Sequence, residues 1–80
     1  MEQHSDHFYL TDMKEGQIGV MRSVQGGSMA GKRLADMGLT PGSEIKLLRK
    51  ALFKGPVQIE VCGARLVLGR ELASRIIVEF

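Results

Sequence analysis

The sequence predicts a small, mainly β fold: an antiparallel barrel of about five strands with one short helix after the first strand. Three observations lead to this fold class. The 80 residues provide for one domain only. Apolar residues recur at every second position in several short segments, which is the period of a β-strand. Turns that contain glycine or proline separate these segments, and a barrel protects the edges of such short strands.

The first strand is predicted at residues 17–24, where β-branched side chains follow a period of two. Two sets of residues alternate there, Ile18, Val20 and Val24 in one and Gly19, Met21 and Ser23 in the other. A pair of glycines at residues 26–27 then ends the strand.

A short amphipathic helix is predicted at residues 29–37, because apolar side chains follow Ala30 at the i+4 and i+7 positions. The hydroxyl of Ser28 is expected to cap the first turn by accepting a hydrogen bond from a free amide. Gly38 stands where a helix end favours a residue in the left-handed conformation. A Thr-Pro-Gly turn is predicted next, at residues 40–42.

Four further strands are predicted after this turn. They lie at residues 44–49, 57–62, 65–68 and 75–80, with a single-turn interruption at residues 69–74. In the strand at residues 57–62, Val57, Ile59 and Val61 share one face and Cys62 lies on the other. The tight connection at residues 63–64 makes a hairpin with the next strand.

The formal net charge of +2 divides unequally along the sequence. Residues 1–15 hold one basic and four acidic residues, a net charge of −3, whereas residues 16–80 hold ten basic and five acidic residues, a net charge of +5. We therefore expect residues 1–9 to be a polar, acidic and flexible leader, and residues 10–80 to be the folded, basic domain.

Hydropathy and cysteine content point to the cytoplasm. The longest uninterrupted apolar runs contain three residues, whereas a membrane-spanning helix needs about 20 and a signal peptide roughly 7–15. Cys62 is the only cysteine, so no disulfide forms within the chain and a reducing compartment is favoured. We expect a cytoplasmic protein that reaches a membrane only through a partner.

The sequence contains no catalytic constellation. Both histidines lie in the leader and the nine carboxylates are scattered, so no pair of nucleophile and base can be drawn within the barrel. The segment from Gly26 to Lys32 fits half of a phosphate-binding loop, but Arg33 follows where that motif needs serine or threonine for Mg²⁺. We interpret the segment as a glycine turn before a basic helix, and we predict that the protein is not an enzyme.

One set of candidate metal ligands lies in the leader. His4 and His7 are three positions apart and Asp6 lies between them; imidazole with carboxylate suits Fe²⁺ or Zn²⁺. A flexible segment does not hold ligands at a fixed geometry, so we expect at most weak binding of iron or zinc and no required cofactor.

The basic domain raises the question of nucleic-acid binding. Small barrels that bind single strands stack the bases on aromatic side chains, and such side chains are not interleaved with the basic strand positions here. We therefore expect no nucleic-acid partner and interpret the basic side chains as solvated. The basic residues in question are Lys46, Lys50, Lys54, Arg65, Arg70 and Arg75.

Apolar residues at turn positions point to a protein partner. The connection at residues 51–56 joins two strands and should be polar, yet it carries two large apolar side chains. Exposed apolar residues with a basic rim, here Arg49, Lys50 and Lys54, are typical of a docking patch for an acidic partner. The alternative is that these apolar residues fold back to cap the thin core of the barrel. The predicted patch has three apolar anchors, Leu39, Leu52 and Phe53, and three basic residues that steer the partner, Arg33, Lys50 and Lys54.

Seven short motifs follow one another between residues 10 and 80. They are Leu-Thr-Asp-Met-Lys-Glu-Gly at residues 10–16, Gly-Gly at 26–27, Lys-Arg-Leu-Ala-Asp-Met-Gly-Leu-Thr-Pro-Gly at 32–42, Lys-Gly-Pro-Val at 54–57, Val-Cys-Gly at 61–63, Leu-Val-Leu-Gly at 66–69 and Ala-x-x-Ile-x-Val at 73–78. With these motifs the sequence resembles the FeoA family of ferrous iron transport accessory proteins, most specifically at residues 33–42. It departs from the family in its acidic, histidine-bearing leader and at Glu15, where the family often has proline.

The resemblance implies an SH3-like β-barrel and a cytoplasmic protein that works with FeoB, the membrane ferrous iron permease with a cytoplasmic GTPase domain. A related domain also follows the DNA-binding part of DtxR-type repressors. We therefore predict a non-catalytic accessory or regulatory protein that docks on the GTPase-containing part of FeoB. Two alternatives stay open, a metal-responsive iron or zinc sensor and a small basic nucleic-acid-binding barrel, as does the formation of a homo-oligomer.

Overall fold

Six strands and two helices make up most of residues 8–80, the part of the chain that the computed structural model describes. In chain order they are β1 (Phe8–Tyr9), β2 (Ile18–Val24), α1 (Ser28–Asp36), β3 (Glu44–Lys50), β4 (Val57–Val61), β5 (Ala64–Leu68), α2 (Arg70–Ala73) and β6 (Ile76–Glu79). A 3₁₀ helix at Leu10–Asp12 follows β1 directly. None of the helices described for residues 8–80 has the length and hydropathy needed to cross a membrane.

All six strands belong to one antiparallel sheet, in the order β1-β6-β2-β3-β4-β5. The inner side chains of the sheet pack with those of α1, α2 and the 3₁₀ helix into one apolar cluster, so the sheet forms a small barrel-like fold. Within the described residues β1 and β5 are edge strands that do not pair with each other, so hydrogen bonds do not close the barrel. The predicted fold class, a mainly β antiparallel barrel of about five strands with one short helix after the first strand, is confirmed; the described sheet has six strands, since the short β1 precedes the strand that was predicted as the first.

β1 occupies part of the segment that the sequence assigned to the leader. Phe8 and Tyr9 pair with β6, and the ring of Phe8 packs edge-to-face on Phe80 with a centroid distance of 5.3 Å. Phe8 and Tyr9 therefore belong to the folded sheet, whereas the sequence placed the boundary of the leader after residue 9. A strand of two residues carries no alternation, so a period of two could not reveal it.

A bulge in β2 decides which of its side chains face the core. Gly19 and Met21 are buried. Arg22 is then an extra residue against β6, because the register shifts between Met21 and Ser23. The bulge changes the phase of the alternation, so that Val24 packs against the core. Arg22 itself points outward and forms an ion pair of 2.8 Å with Glu79; the hydrogen bond to that carboxylate, and then its charge, raise the pKa of the guanidinium above its ordinary value.

α1 begins one residue earlier than predicted and has no side-chain cap. Ser28 is its first helical residue, Gly27 occupies the N-cap position, and no side-chain hydrogen bond caps this end. The predicted capping role of Ser28 is therefore wrong. A capping side chain must precede the first turn in order to reach the free amides of that turn, and Ser28 already lies inside it.

The other end of α1 buries Leu39. The amide of Leu39 donates to the carbonyl of Leu34 and the amide of Gly38 donates to the carbonyl of Ala35, both at 2.9 Å. Gly38 has a φ of 91°, so these bonds form a Schellman motif, in which the residue after the left-handed glycine packs on the last turn of the helix. Leu39 is only 1% exposed. The prediction that it is an exposed anchor is therefore wrong.

The β4–β5 hairpin closes through Cys62 and Gly63, one residue earlier than predicted. Val61 pairs with Ala64, and Cys62 and Gly63 have φ angles of 52° and 80°, as the preferred two-residue hairpin turn requires. The thiol of Cys62 is exposed at this turn. The inner face predicted for β4 is confirmed, since its first, third and fifth residues are buried.

We predict that Leu39→Ala lowers the free energy of unfolding by about 2–5 kcal/mol, because it leaves a cavity in the core. Leu52→Ala removes the same atoms from an exposed side chain and should change that free energy by no more than about 0.5 kcal/mol. Urea unfolding followed by circular dichroism measures both variants against the wild type. Equal losses in the two variants would contradict the burial of Leu39.

Candidate partner-binding site

The connection between β3 and β4 ends in a tight turn with an apolar tip. The amide of Ala51 donates to the carbonyl of Pro56 at 3.0 Å, and the amide of Gly55 donates to the carbonyl of Leu52 at 3.1 Å. Phe53 is 98% exposed and Leu52 is 80% exposed. These two side chains therefore do not fold back onto the core, and their role in docking stays a prediction.

The backbone at the tip of this turn adopts a conformation that its residues disfavour. Phe53 and Lys54 have φ angles of 57° and 60°. Positive φ at both central positions is characteristic of the type I′ hairpin turn, in which Asn-Gly is preferred. For other residues, the left-handed conformation costs roughly 1–2 kcal/mol each. Strain of this kind concentrates at functional positions, where the surrounding structure enforces it.

Gly55 allows the turn to close. A Cβ atom at this position would lie 2.7 Å from the Cβ of Ala51 and 3.2 Å from the carbonyl oxygen of Leu52. The first distance is shorter than any ordinary contact between carbon atoms, and Ala51 belongs to the hydrogen-bonded base of the turn. A side chain at position 55 would therefore open the turn that holds Phe53 outward.

A groove of about 580 Å³ runs beside the turn. Arg49, Gln58 and Val67 lie in one row across β3, β4 and β5, because Arg49 pairs with Gln58 and Gln58 pairs with Val67. Leu52 and Pro56 add apolar surface at the turn. The groove thus combines an apolar side with a basic side, which suits a protein segment that carries both apolar and acidic residues. Its lining consists of Glu15, Arg49, Lys50, Ala51, Leu52, Pro56, Gln58 and Val67.

Lys50 forms hydrogen bonds to the segment before β2 rather than extending freely into solvent. Its ammonium group donates to the carbonyl of Thr11 at 3.1 Å, and its amide approaches a carboxylate oxygen of Glu15 at 3.5 Å. The side chain is half-buried. Lys50 therefore fixes the segment before β2 against the end of β3, and its charge is partly used inside the molecule.

Lys54 adds a basic group at the turn itself. It lines a shallow hollow of about 360 Å³ together with Arg70, Thr11 and Ser74. The hydrogen bond from Lys50, which lines the groove, to the carbonyl of Thr11, which lines the hollow, connects the two. Lys54 and Arg70 in the hollow and Arg49 in the groove are therefore basic groups near the apolar tip.

The structure separates Arg33 and Leu39 from the other predicted residues. Arg33 lies on α1 and lines a different hollow, with Met29 and Arg75, that shares no residue with the groove. Leu39 lies in the core. Of the predicted patch, Leu52, Phe53, Lys50 and Lys54 are brought together at one loop.

Val67 was not predicted as a site residue. It is 62% exposed on the outer face of β5 and lines the groove. The alternation of β5 carried a signal for it, because Leu66 and Leu68 lie on the inner side of that strand and leave an apolar residue facing outward. Arg49 was expected at the basic rim of the patch, whereas the contribution of Gln58 depends on strand register, for which the sequence has no comparable signal.

Carboxylates interrupt the basic residues that were considered for nucleic-acid binding. Lys46 lines a hollow with Glu44 and Glu60, and Arg75 forms an ion pair of 3.2 Å with Glu71. This distribution differs from a continuous basic face, and the absence of a nucleic-acid partner stays a prediction.

The predicted metal ligands His4, Asp6 and His7 lie outside the described residues. Among residues 8–80, histidine, cysteine, aspartate and glutamate side chains form no group of three that could hold a metal ion. The binding of iron or zinc by the leader therefore stays a prediction.

A sequence model of the FeoA domain matches residues 8–80. The chain is a member of the FeoA family. A protein of Methanocaldococcus jannaschii named as Fe(2+) transport protein A is 38% identical over 70 residues, which cover 88% of this chain and 83% of that protein. The resemblance inferred from the sequence motifs is thereby confirmed. The FeoA family is involved in ferrous iron transport and is not a known family of enzymes.

Solved structures agree with this membership. The crystal structure of an iron uptake regulatory protein (FeoA) is similar with a TM-score of 0.82 and 37% identity, over 91% of this chain and 95% of that one. This FeoA-family chain also shares its fold with a manganese-dependent transcriptional repressor in complex with manganese, with a TM-score of 0.84. The second likeness, at 20% identity over 96% of this chain and 38% of the repressor, concerns the fold alone.

We predict that the double variant Phe53→Asn, Lys54→Gly raises the free energy of unfolding by about 1–2 kcal/mol, because it places the preferred residues at the two left-handed positions. The unfolding temperature should rise by roughly 4–8 °C per kcal/mol for a domain of this size. Thermal unfolding measures the change, with Leu52→Asn as the neighbouring control in ordinary backbone geometry. A double variant that unfolds at or below the wild-type temperature would show that the turn is not strained.

Proposed function

We propose that this FeoA-family protein is a non-catalytic accessory protein of ferrous iron uptake that acts in the cytoplasm by docking on the GTPase-containing part of FeoB. The apolar tip of the β3–β4 turn makes the central contact. Membership of the family supports the involvement in ferrous iron transport, and the FeoB partnership is what the sequence resemblance implies.

The exposure of Phe53 is the observation that carries this proposal. A phenylalanine that is 98% exposed, in a backbone conformation that it disfavours, contributes nothing to the core of the folded chain. Aromatic residues that enter a pocket of a partner commonly dominate the binding energy of an interface. Burial of Phe53 and Leu52 in a partner would remove both apolar side chains from water.

The charge around the turn supports an acidic partner surface. Lys54 flanks the tip directly, Arg70 lines the same hollow, and Arg49 lies along the groove. Charged groups at the rim of an interface mainly raise the rate of association and select the partner, whereas buried apolar anchors set the lifetime of the complex. The two kinds of residue can therefore be tested separately.

We predict that Phe53→Glu weakens binding to the purified cytoplasmic region of FeoB at least about 10-fold, because the anchor is lost and a charge is brought into the interface. The matched control is Met29→Glu, which makes the same change in charge at another exposed side chain, on α1. It should change the dissociation constant by less than about 3-fold. Isothermal titration calorimetry measures both variants, after circular dichroism has shown that they are folded.

The same pair of variants tests the role in iron uptake. In cells that lack their own FeoA protein, the wild type and Met29→Glu should restore ferrous iron uptake and Phe53→Glu should not. A folded Phe53→Glu variant that binds FeoB and restores uptake like the wild type would refute the assignment of the turn tip as the anchor.

We predict that Lys54→Ala slows association with FeoB at low ionic strength, and that the difference from the wild type disappears near 1 M salt, where the screening length is about 3 Å. Lys32→Ala, which removes the same charge from an exposed position of α1, serves as the control and should have a smaller effect. Stopped-flow association rates across a salt series give the answer. Equal effects of the two variants would show that only the net charge matters.

A further inference from the structure

β5 has a free edge, and the register of its hairpin shows which backbone groups lie there. The two-residue turn closes on the pair Val61 and Ala64, which exchange backbone hydrogen bonds. Hydrogen-bonded and non-hydrogen-bonded pairs alternate along an antiparallel ladder. Leu66 therefore bonds to β4, whereas Arg65 and Val67 turn their amides and carbonyls away from it. None of the backbone hydrogen bonds described for residues 8–80 reaches these outward groups.

Two rows of outer side chains end at this edge. In one row Arg49, Gln58 and Val67 cross β3, β4 and β5, and the row borders the groove beside Leu52. Val67 is exposed at its end. A strand that paired with β5 would place a side chain about 4.5–5.5 Å from Val67, between it and solvent. An apolar residue there would cover Val67 and continue the apolar side of the groove.

The second row indicates which charge an added strand would carry next to β5. Lys46 pairs with Glu60, and Glu60 pairs with Arg65, so basic, acidic and basic side chains alternate from β3 to β5. The next position in this row, on an added strand, lies opposite Arg65. Opposite charges in directly facing cross-strand pairs stabilise a sheet and like charges destabilise it. The position therefore favours a carboxylate.

We infer that β5 is the edge to which an extended segment of the partner adds as a further strand, with a carboxylate opposite Arg65 and an apolar side chain opposite Val67. These two partner residues are two positions apart and share one face of the segment. Strand addition supplies main-chain hydrogen bonds, and the side-chain rows supply the selectivity. This inference rests on the proposed function: the Phe53 turn contacts FeoB, and β5 binds an extended segment of the same protein.

A second copy of this chain fits the edge less well. β5 reads Ala-Arg-Leu-Val-Leu and contains no carboxylate, so pairing two β5 edges leaves Arg65 opposite valine or arginine. The basic groups beside the groove, Arg49 and Lys54, would also be repelled by the same basic groups of the other copy. The other edge strand of the described sheet, β1, has only two residues and provides a short ladder.

Amide hydrogen exchange of the full chain, measured by nuclear magnetic resonance with and without the purified cytoplasmic region of FeoB, tests the inference. The amides of Arg65 and Val67 should exchange fast in the free protein and at least about 10-fold more slowly in the complex, because they become hydrogen-bonded. The amide of Met29, in the first turn of α1 where amides lack helical partners, should be unaffected.

A proline variant tests the same contact by affinity. Val67→Pro removes an amide that makes no bond to β4, in an edge strand where proline is tolerated. It should weaken binding to the FeoB region at least about 10-fold. Val67→Thr keeps the amide and the branched shape of the side chain and should weaken binding by less than about 3-fold. The exchange experiment on the wild type decides the question if the proline variant does not fold.

The failure of strand addition can be told apart from the failure of docking. If FeoB binds, Phe53→Glu weakens the binding, and the Arg65 and Val67 amides stay unprotected, strand addition is overturned while docking through the turn stands. If the wild type does not bind the FeoB region at all, docking on FeoB and strand addition by it are both overturned. If protection appears without FeoB and grows with protein concentration, the edge pairs with a second copy, and the inference is overturned as well.

Discussion

The backbone of the β3–β4 turn is the constraint on which the candidate site depends. Its two hydrogen bonds and the absence of a Cβ at Gly55 fix a sharp reversal of the chain. Phe53 cannot reach the core without breaking that reversal, so its apolar surface is exposed to water. Leu52 and Pro56 of the same turn form one wall of the groove. A strained but well-anchored loop on a rigid sheet is a common way for a small domain to hold a binding residue in place.

Period-two alternation predicted the fold class and the inner face of β4, because that strand is regular and rich in β-branched residues. It was less informative for β2, where the bulge at Arg22 reverses the phase partway along the strand. It could not detect β1, whose two residues show no period. Alternation therefore fails to predict a strand correctly where the strand pairing is irregular or very short. Family motifs added the SH3-like fold and the iron transport context, which no periodicity contains.

The candidate site was predictable in part. The sequence pointed to Leu52 and Phe53 as unusual residues for a short connection, but it left open whether they are exposed or fold back onto the core; the structure shows both exposed. The burial of Leu39 is set by the backbone at the end of α1, and the glycine before it was the available signal: the residue after a left-handed glycine packs back on the helix. The groove required the register of three strands. A bulge between Leu47 and Arg49 sets that register, and such a bulge is invisible in the pattern of residue types.

The pairing of β1 with β6 brings the two ends of the described chain side by side, with the rings of Phe8 and Phe80 in contact. A domain whose ends are neighbours can be joined to, or inserted into, another polypeptide without disturbing its core. The repressor that shares this fold is a much longer chain, of which the similar part is 38%. The same arrangement makes the domain suitable for circular permutation, in which a short linker joins Phe80 to Phe8 and new ends open at an exposed turn such as Cys62-Gly63.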